Sequence, residues 1–66
     1  MQTAKAALEK LPPHLKEVLV LREYAGLNYK EIGKIVGITE DNVKVRVFRA
    51  REKLLTFLEA DDVYLS

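Results

Sequence analysis

A run of basic side chains over residues 42–53 is the part of this sequence whose residue types and spacing best suit binding chemistry. The segment carries a net charge of +4, because it contains five basic residues and a single acidic residue, Glu52. The basic residues are Lys44, Arg46, Arg49, Arg51 and Lys53. Such groups neutralise phosphates, and an arginine can also bind guanine through two hydrogen bonds. Residues 1–41 are neutral and residues 54–66 carry −3, so the chain total of +1 hides this segment. The pattern indicates a nucleic-acid surface, although most basic runs are only the solvated face of a helix.

Two apolar residues lie among these basic residues. Val45 and Phe48 fall on the predicted outward face of the same helix, where they could contact the methyl groups of thymine. A solvated helix face has little use for an aromatic ring, which favours the nucleic-acid interpretation. Packing of Phe48 against a neighbouring helix is the alternative at this stage.

The apolar residues elsewhere recur at helical spacing and predict a small all-α domain of about four helices. Pro12 and Pro13 end one helix and allow the next to begin, because proline is accepted in a first helical turn. Asn28 and Glu31 have the spacing of a capping box at the start of the third helix. The predicted bounds are residues 3–11, Pro13 to about Tyr24, a helix after Asn28, and about Glu40 to Leu58.

The third and fourth helices have the sequence pattern of a helix-turn-helix over about residues 28–58. Gly33 lies inside a helix, where glycine costs about 1 kcal/mol relative to alanine, so a close approach of the following helix is expected there. Gly37 suits a left-handed turn, and Thr39 suits the cap of the next helix. The predicted inward residues are Ile32, Ile35, Val36, Val43, Val47, Ala50, Leu54 and Leu58. Ordinary helix punctuation in a small bundle is the alternative for the two glycines.

Three stretches of the chain together resemble the fourth conserved region of bacterial sigma factors. They are Leu11–Glu23 (LPPHLKEVLVLRE), Gly26–Ile38 (GLNYKEIGKIVGI) and Val43–Leu54 (VKVRVFRAREKL). The last stretch is similar to the Val-Lys-x-Arg-x-x-Arg-Ala-Arg motif of the extracytoplasmic-function group, and the resemblance covers about residues 4–58. It implies contact with the promoter −35 element and with the flap of the RNA polymerase β subunit.

The resemblance also implies roles for individual residues. Lys44, Val45, Phe48 and Arg49 match the base-contacting face, whereas Arg22 and Tyr29 match positions that contact the DNA backbone. Arg46 joins this DNA-binding set as a member of the basic run. The chain departs from the family pattern at three places. Glu40 and Asp41 bring acid to the start of the recognition helix, and Val45 stands where serine or threonine is common.

A protein-binding role is a rival from a different functional class. Leu8, Leu11, Leu15 and Leu19 could line an apolar groove for the polymerase flap or for a helix of an anti-sigma factor, although such leucines more often form core. A second rival is the helix-turn-helix output domain of a response regulator, which the Arg49–Leu54 ending disfavours.

Enzyme chemistry is not expected. His14 is the only histidine, there is no cysteine, and Ser66 is the only serine, so no nucleophile and base can be paired. Glu59, Asp61 and Asp62 match no calcium loop and predict a flexible acidic tail over about residues 60–66. We expect no cofactor and no metal, and a cytoplasmic location, because no apolar run has the length of a signal peptide or a membrane span. The 66 residues form one predicted domain, either excised from a sigma factor or a stand-alone relative.

Overall fold

The computed structural model describes residues 4–62, with side chains for residues 5–59. Within this range the chain forms four α-helices and no strand. They are α1 (Ala4–Glu9), α2 (Pro13–Glu23), α3 (Tyr29–Val36) and α4 (Glu40–Asp62). The all-α prediction with a helix-turn-helix is therefore confirmed.

The boundary between α1 and α2 follows from the two prolines. Pro13 is the first residue of α2, and the carbonyl of Pro12 accepts a hydrogen bond from the Lys16 amide at 2.9 Å. Because proline at this position lacks only an amide hydrogen that would have no partner in the helix, it starts the helix at little cost. Single turns formed by the Lys10 and Leu11 amides follow α1, which is why this helix ends before the predicted residue 11.

The start of α3 is fixed by the predicted capping box. The Glu31 amide donates to Asn28 Oδ1 at 2.8 Å, and the Asn28 amide donates to Glu31 Oε1 at 3.0 Å. These two bonds satisfy amides that a helix start otherwise leaves unpaired. The two bonds thereby fix Tyr29 as the first residue of α3.

The core lies between α4 and the other three helices. It consists of apolar side chains that are at most 8% exposed: Leu8, Leu11, Leu15, Val18, Leu19, Ile32, Val43, Val47 and Ala50, together with Ala7. The predicted inward residues Val43, Val47 and Ala50 of α4 are fully or almost fully buried, and Leu54 and Leu58 are partly buried. The core thus fixes which face of α4 points outward.

The prediction that Ile35 faces inward is wrong, because its side chain is 62% exposed. In α3 the buried positions are Ile32 and its neighbour Gly33, so the packed face is centred between these two. Successive residues are about 100° apart around a helix, which places Ile35 about 110° from the centre of that face, whereas Val36 lies close to its centre and is partly buried at the end of α3.

Helix α4 continues to Asp62, beyond the predicted end near Leu58. Residues 60–62, the start of the predicted acidic tail, are its last residues, and residues 63–66 of that tail lie outside the described part of the chain. Among the helices that the structure describes, none combines the length and the apolar character that crossing a bilayer requires.

Candidate nucleic-acid interface

A tight turn joins α3 to α4. Gly37 has φ +76°, the left-handed conformation that glycine adopts without steric cost. The amides of Gly37 and Ile38 both donate to the Gly33 carbonyl, at 2.8 and 3.0 Å. At the other side of the turn, the Asn42 amide donates to Thr39 Oγ1 at 3.1 Å, so Thr39 caps α4 as predicted.

Gly33 permits the two helices of this unit to meet. A Cβ atom at this position would lie 2.6 Å from the carbonyl oxygen of Ile38 and 3.6 Å from Cγ2 of Val43. The predicted close approach is therefore present, but the nearest neighbour is the backbone of the turn and not the following helix. The turn folds back over Gly33 and so sets where α4 begins.

The outward face of α4 carries the residues that the sequence singled out. Lys44 and Arg49 are exposed, and Val45 and Phe48 are 45% and 63% exposed. The alternative that Phe48 packs against a neighbouring helix is wrong, because α4 presents the opposite side, with Val43 and Val47, to the core. Four side chains of suitable chemistry therefore share one accessible surface.

The basic residues of α4 divide between the two edges of this face. Lys44 and Arg51 are seven residues apart, about two helical turns, and so lie along one edge. Arg46, Arg49 and Lys53 follow the other edge at spacings of three and four residues. Cations thus lie on both sides of the two apolar residues. Such an arrangement suits a groove whose two walls are phosphate backbones.

Arg22 and Tyr29 contact each other. The guanidinium carbon of Arg22 lies 4.9 Å from the centre of the Tyr29 ring, which is a cation–π arrangement. Arg22 Nη1 also donates to the Leu27 carbonyl at 3.0 Å. Both residues are partly exposed at the junction of α2 and α3. Their local partners hold them at the start of the helix-turn-helix unit.

One feature of this surface was missed by the sequence analysis. Arg51 forms an ion pair with Glu23 at the end of α2, and its Nε donates to Glu23 Oε1 at 3.0 Å. The pKa of Arg51 is raised, chiefly by the hydrogen bond to Glu23, with smaller contributions that include Tyr29. The two residues are 28 positions apart, and no local spacing signals such a pair.

The four leucines proposed as a protein-binding groove are core residues. Leu8, Leu11, Leu15 and Leu19 are 8%, 4%, 3% and 2% exposed, since α1 and α2 turn them toward α4. As a set they therefore offer no open surface. Leu8 and Leu19 do form part of the wall of a shallow groove of about 160 Å³, whose other lining residues are Glu23, Tyr24, Arg51 and Leu54.

No group of three or more metal-ligating side chains is brought together in the described part of the chain. Among the described residues there is likewise no buried polar or charged side chain. The chemistry of residues 5–59 is therefore that of an exposed surface. It consists of cations, an aromatic ring and aliphatic groups on one helix.

The fold and this surface define the helix-turn-helix class of domains, with α4 as its second helix. The chain also matches the sequence family described as Sigma-70, region 4, over residues 1–54. It therefore belongs to the Sigma-70, region 4 family, a family of DNA-binding regulatory domains and not of enzymes. The family match disfavours the response-regulator alternative.

Several curated relatives carry sigma-factor names. The chain is 39% identical over 54 residues to the ECF RNA polymerase sigma factor SigE of Mycolicibacterium smegmatis, covering 82% of this chain and 21% of that protein. It is 40% identical over 57 residues to the ECF RNA polymerase sigma factor EcfG of Rhodopseudomonas palustris, covering 86% and 32%. It is 43% identical over 47 residues to the ECF RNA polymerase sigma-E factor of Escherichia coli K12, covering 71% and 25%.

The chain thus spans between about a fifth and a third of the length of these relatives. No solved structure matches it.

Proposed function

We propose that this chain is the promoter-binding domain of a sigma factor of the extracytoplasmic-function group, and that it recognises the −35 element in the cytoplasm. The observation that carries this proposal is the exposed face of α4, where Phe48 is 63% exposed between two edges of basic side chains. A recognition helix places its N-terminal half against base edges in the major groove. Val45, Phe48 and Arg49 lie in that half.

Each residue of the face has a proposed partner on DNA that suits its chemistry. Arg49 binds guanine O6 and N7 through two hydrogen bonds, and Val45 and Phe48 contact thymine methyl groups. Lys44 contacts a base edge from the same face, and Arg46 binds a phosphate, as do Arg22 and Tyr29 at the start of the unit.

The two acidic residues at the start of α4, Glu40 and Asp41, are compatible with this mode of DNA binding. Asp41 lies four residues before Val45 and seven before Phe48, so it falls on the same exposed face. Glu40 and Asp41 also lie in the first turn of α4, where a helix N-terminus favours negative charge. A carboxylate on this face accepts a hydrogen bond from the amino group of cytosine. We therefore place a cytosine opposite Asp41.

The second proposed partner is the RNA polymerase core, through the flap of the β subunit. The groove between α1, α2 and α4 supports this assignment, because Leu8, Leu19 and Leu54 supply an apolar floor and Tyr24 beside it is 69% exposed. The chain carries only +1 overall, so electrostatic attraction of the whole domain to DNA is small. Attachment to polymerase then supplies a high effective concentration near the promoter. An anti-sigma factor would compete for the same groove.

The test begins with selection of bound DNA from a random pool, which gives the preferred sequence. On that sequence we expect Arg49→Ala to weaken binding by about 1–3 kcal/mol, roughly 5- to 150-fold, with the helical content unchanged. Lys53→Ala is the matched control, because Lys53 lies on the same edge one turn farther from the N-terminus of α4.

Two results would contradict the recognition-helix assignment. One is unchanged affinity of Arg49→Ala for the selected DNA. The other is a strong, sequence-dependent loss for Lys53→Ala, which would mean that α4 docks at a different depth.

A further inference from the structure

Of all the basic residues on α4, Arg51 alone is held by an acidic side chain within the described part of the chain. Its partner Glu23 belongs to α2, and both side chains are close to half exposed, at 47% and 46%. A surface ion pair of this kind contributes little to stability, because water and salt screen it. A stronger anionic partner can therefore displace Glu23.

The location of Arg51 puts such a partner within reach. Arg51 lies along the same edge of α4 as Lys44, which is exposed, and its ion-pair partner Glu23 directly follows Arg22 in α2. Arg22, stacked on Tyr29, brings a second guanidinium to this region. Two guanidinium groups and a phenol thus gather beside one edge of the recognition face. Their chemistry is that of a site for one phosphate group.

We infer that Arg51 binds a phosphate group of the DNA backbone. In the free domain Glu23 forms an ion pair with Arg51, so the phosphate must displace the Glu23 carboxylate before it can bind. The inference rests on the proposed function, since it adds a backbone contact to that DNA complex. It concerns affinity for DNA of any sequence, because a phosphate contact carries no base information. Glu23 thereby lowers binding at non-specific sites without touching the bases.

If a DNA phosphate displaces Glu23 from Arg51, variants of these two residues must change the affinity for DNA in opposite directions. Glu23→Gln frees Arg51 before binding, so affinity rises about two- to fivefold on both the selected and a scrambled DNA. The dependence of affinity on salt stays the same, because the complex contains the same phosphate contacts with either residue at position 23. Arg51→Ala removes one contact, so affinity falls on both DNAs and the slope of log K against log salt becomes shallower by about 0.9.

The experiment measures fluorescence anisotropy of labelled duplexes at four or five salt concentrations for the 66-residue chain and its variants. Glu17→Gln is the charge-matched control, because Glu17 is exposed on the same helix and no ion pair involves it in the described structure. Arg51→Gln removes the charge but keeps most of the side-chain volume, so it takes the place of Arg51→Ala, with the same expected change in salt slope, if Arg51→Ala unfolds. Circular dichroism verifies that each variant is helical.

The double variant Glu23→Gln/Arg51→Ala decides the mechanism. If Glu23 acts by occupying Arg51, the double variant binds like Arg51→Ala alone. The inference is overturned if Glu23→Gln still raises affinity in the Arg51→Ala background, if Glu17→Gln has the same effect as Glu23→Gln, or if Arg51→Ala leaves the salt slope unchanged.

Failure of the inference and failure of the proposed function give different results. Sequence preference without the expected behaviour of residues 23 and 51 rejects only the inference. The expected behaviour on both DNAs without any sequence preference rejects the −35 proposal and keeps the phosphate site. An absence of binding to either DNA at low salt rejects both.

Discussion

Val45 and Phe48 are apolar side chains that α4 leaves 45% and 63% exposed. Exposed apolar surface of this kind, bordered by cations on both sides, indicates a contact that forms only with a partner. Thymine is the DNA base that presents a methyl group in the major groove. The two residues are therefore expected to select thymine through its methyl group.

This expectation can be tested by changing the DNA alone. Replacing a contacted thymine by uracil removes one methyl group, and burial of such a group stabilises by about 0.8 kcal/mol, so affinity should fall about fourfold. Phe48→Ala should abolish most of this difference between the two DNAs. Titration of both proteins against both duplexes measures the coupling.

A uracil substitution outside the selected element provides the control. Equal loss from uracil in the wild-type chain and in both the Val45→Ala and Phe48→Ala variants would contradict the methyl contact.

The outward face of α4 was predictable from the sequence, whereas the contacts between α2 and α4 were not. The types and spacing of Lys44, Val45, Phe48 and Arg49 placed all four correctly on one outward face, because helical geometry over adjacent turns fixes their relative directions. The pair of Glu23 and Arg51 could not be predicted, since it depends on how α2 crosses α4. The burial of Leu8, Leu11, Leu15 and Leu19 depends on the same packing.

At the scale of the elements, the turn between α3 and α4 depends on two glycines for different physical reasons. Gly33 is required by space, because a Cβ would lie 2.6 Å from the Ile38 carbonyl oxygen. Gly37 is required by conformation, because its φ is +76° and no atom lies near a Cβ built there. The two causes predict different responses to substitution.

Gly33→Ala should destabilise the domain although alanine favours helices. Overpacking costs about 1–3 kcal/mol, whereas the gain in helix propensity is about 1 kcal/mol, so we expect a net loss of up to about 2 kcal/mol in the free energy of unfolding. Urea denaturation followed by circular dichroism measures it. A rise in stability would show that the turn can move away from α3 at no cost.

Gly37→Ala should cost about 1–2 kcal/mol because of its left-handed backbone, and Gly37→Asn should recover much of that loss because asparagine tolerates this conformation. The same urea titration compares the two variants. Equal losses for alanine and asparagine would contradict the conformational explanation.

The predicted helices agree with the structure best where a local signal ends them. Pro13, the capping box of Asn28 and Glu31, and Gly37 were all placed correctly, because each acts through its own backbone or nearest neighbours. The end of α4 was placed too early, since no glycine or proline stops the helix before Asp62. The orientation of Ile35 was wrong because the packed face of an eight-residue helix is chosen by its neighbours.

At the scale of the whole molecule, size limits stability. A domain of about 60 residues buries only about 60% of the surface of its unfolded chain and is marginally stable alone. The core of this chain is correspondingly small, and the fully buried large side chains are Leu19, Ile32, Val18, Val43 and Val47. Any partner that binds only the folded domain therefore changes its stability by a large fraction.

The selected DNA should raise the melting temperature of the chain much more than an equal concentration of scrambled DNA. At a concentration 100 times the Kd, a ligand of the folded state adds about 2.7 kcal/mol, which corresponds to roughly 10–20 °C for a domain of this size. The melt is followed by circular dichroism at 222 nm, where helix dominates the signal. Arg49→Ala should melt at the same temperature as the wild-type chain without DNA and lose most of the difference between the two duplexes. A large shift with both duplexes that Arg49→Ala leaves intact would mean that the folded domain binds the phosphate backbone alone, and that α4 does not read the bases.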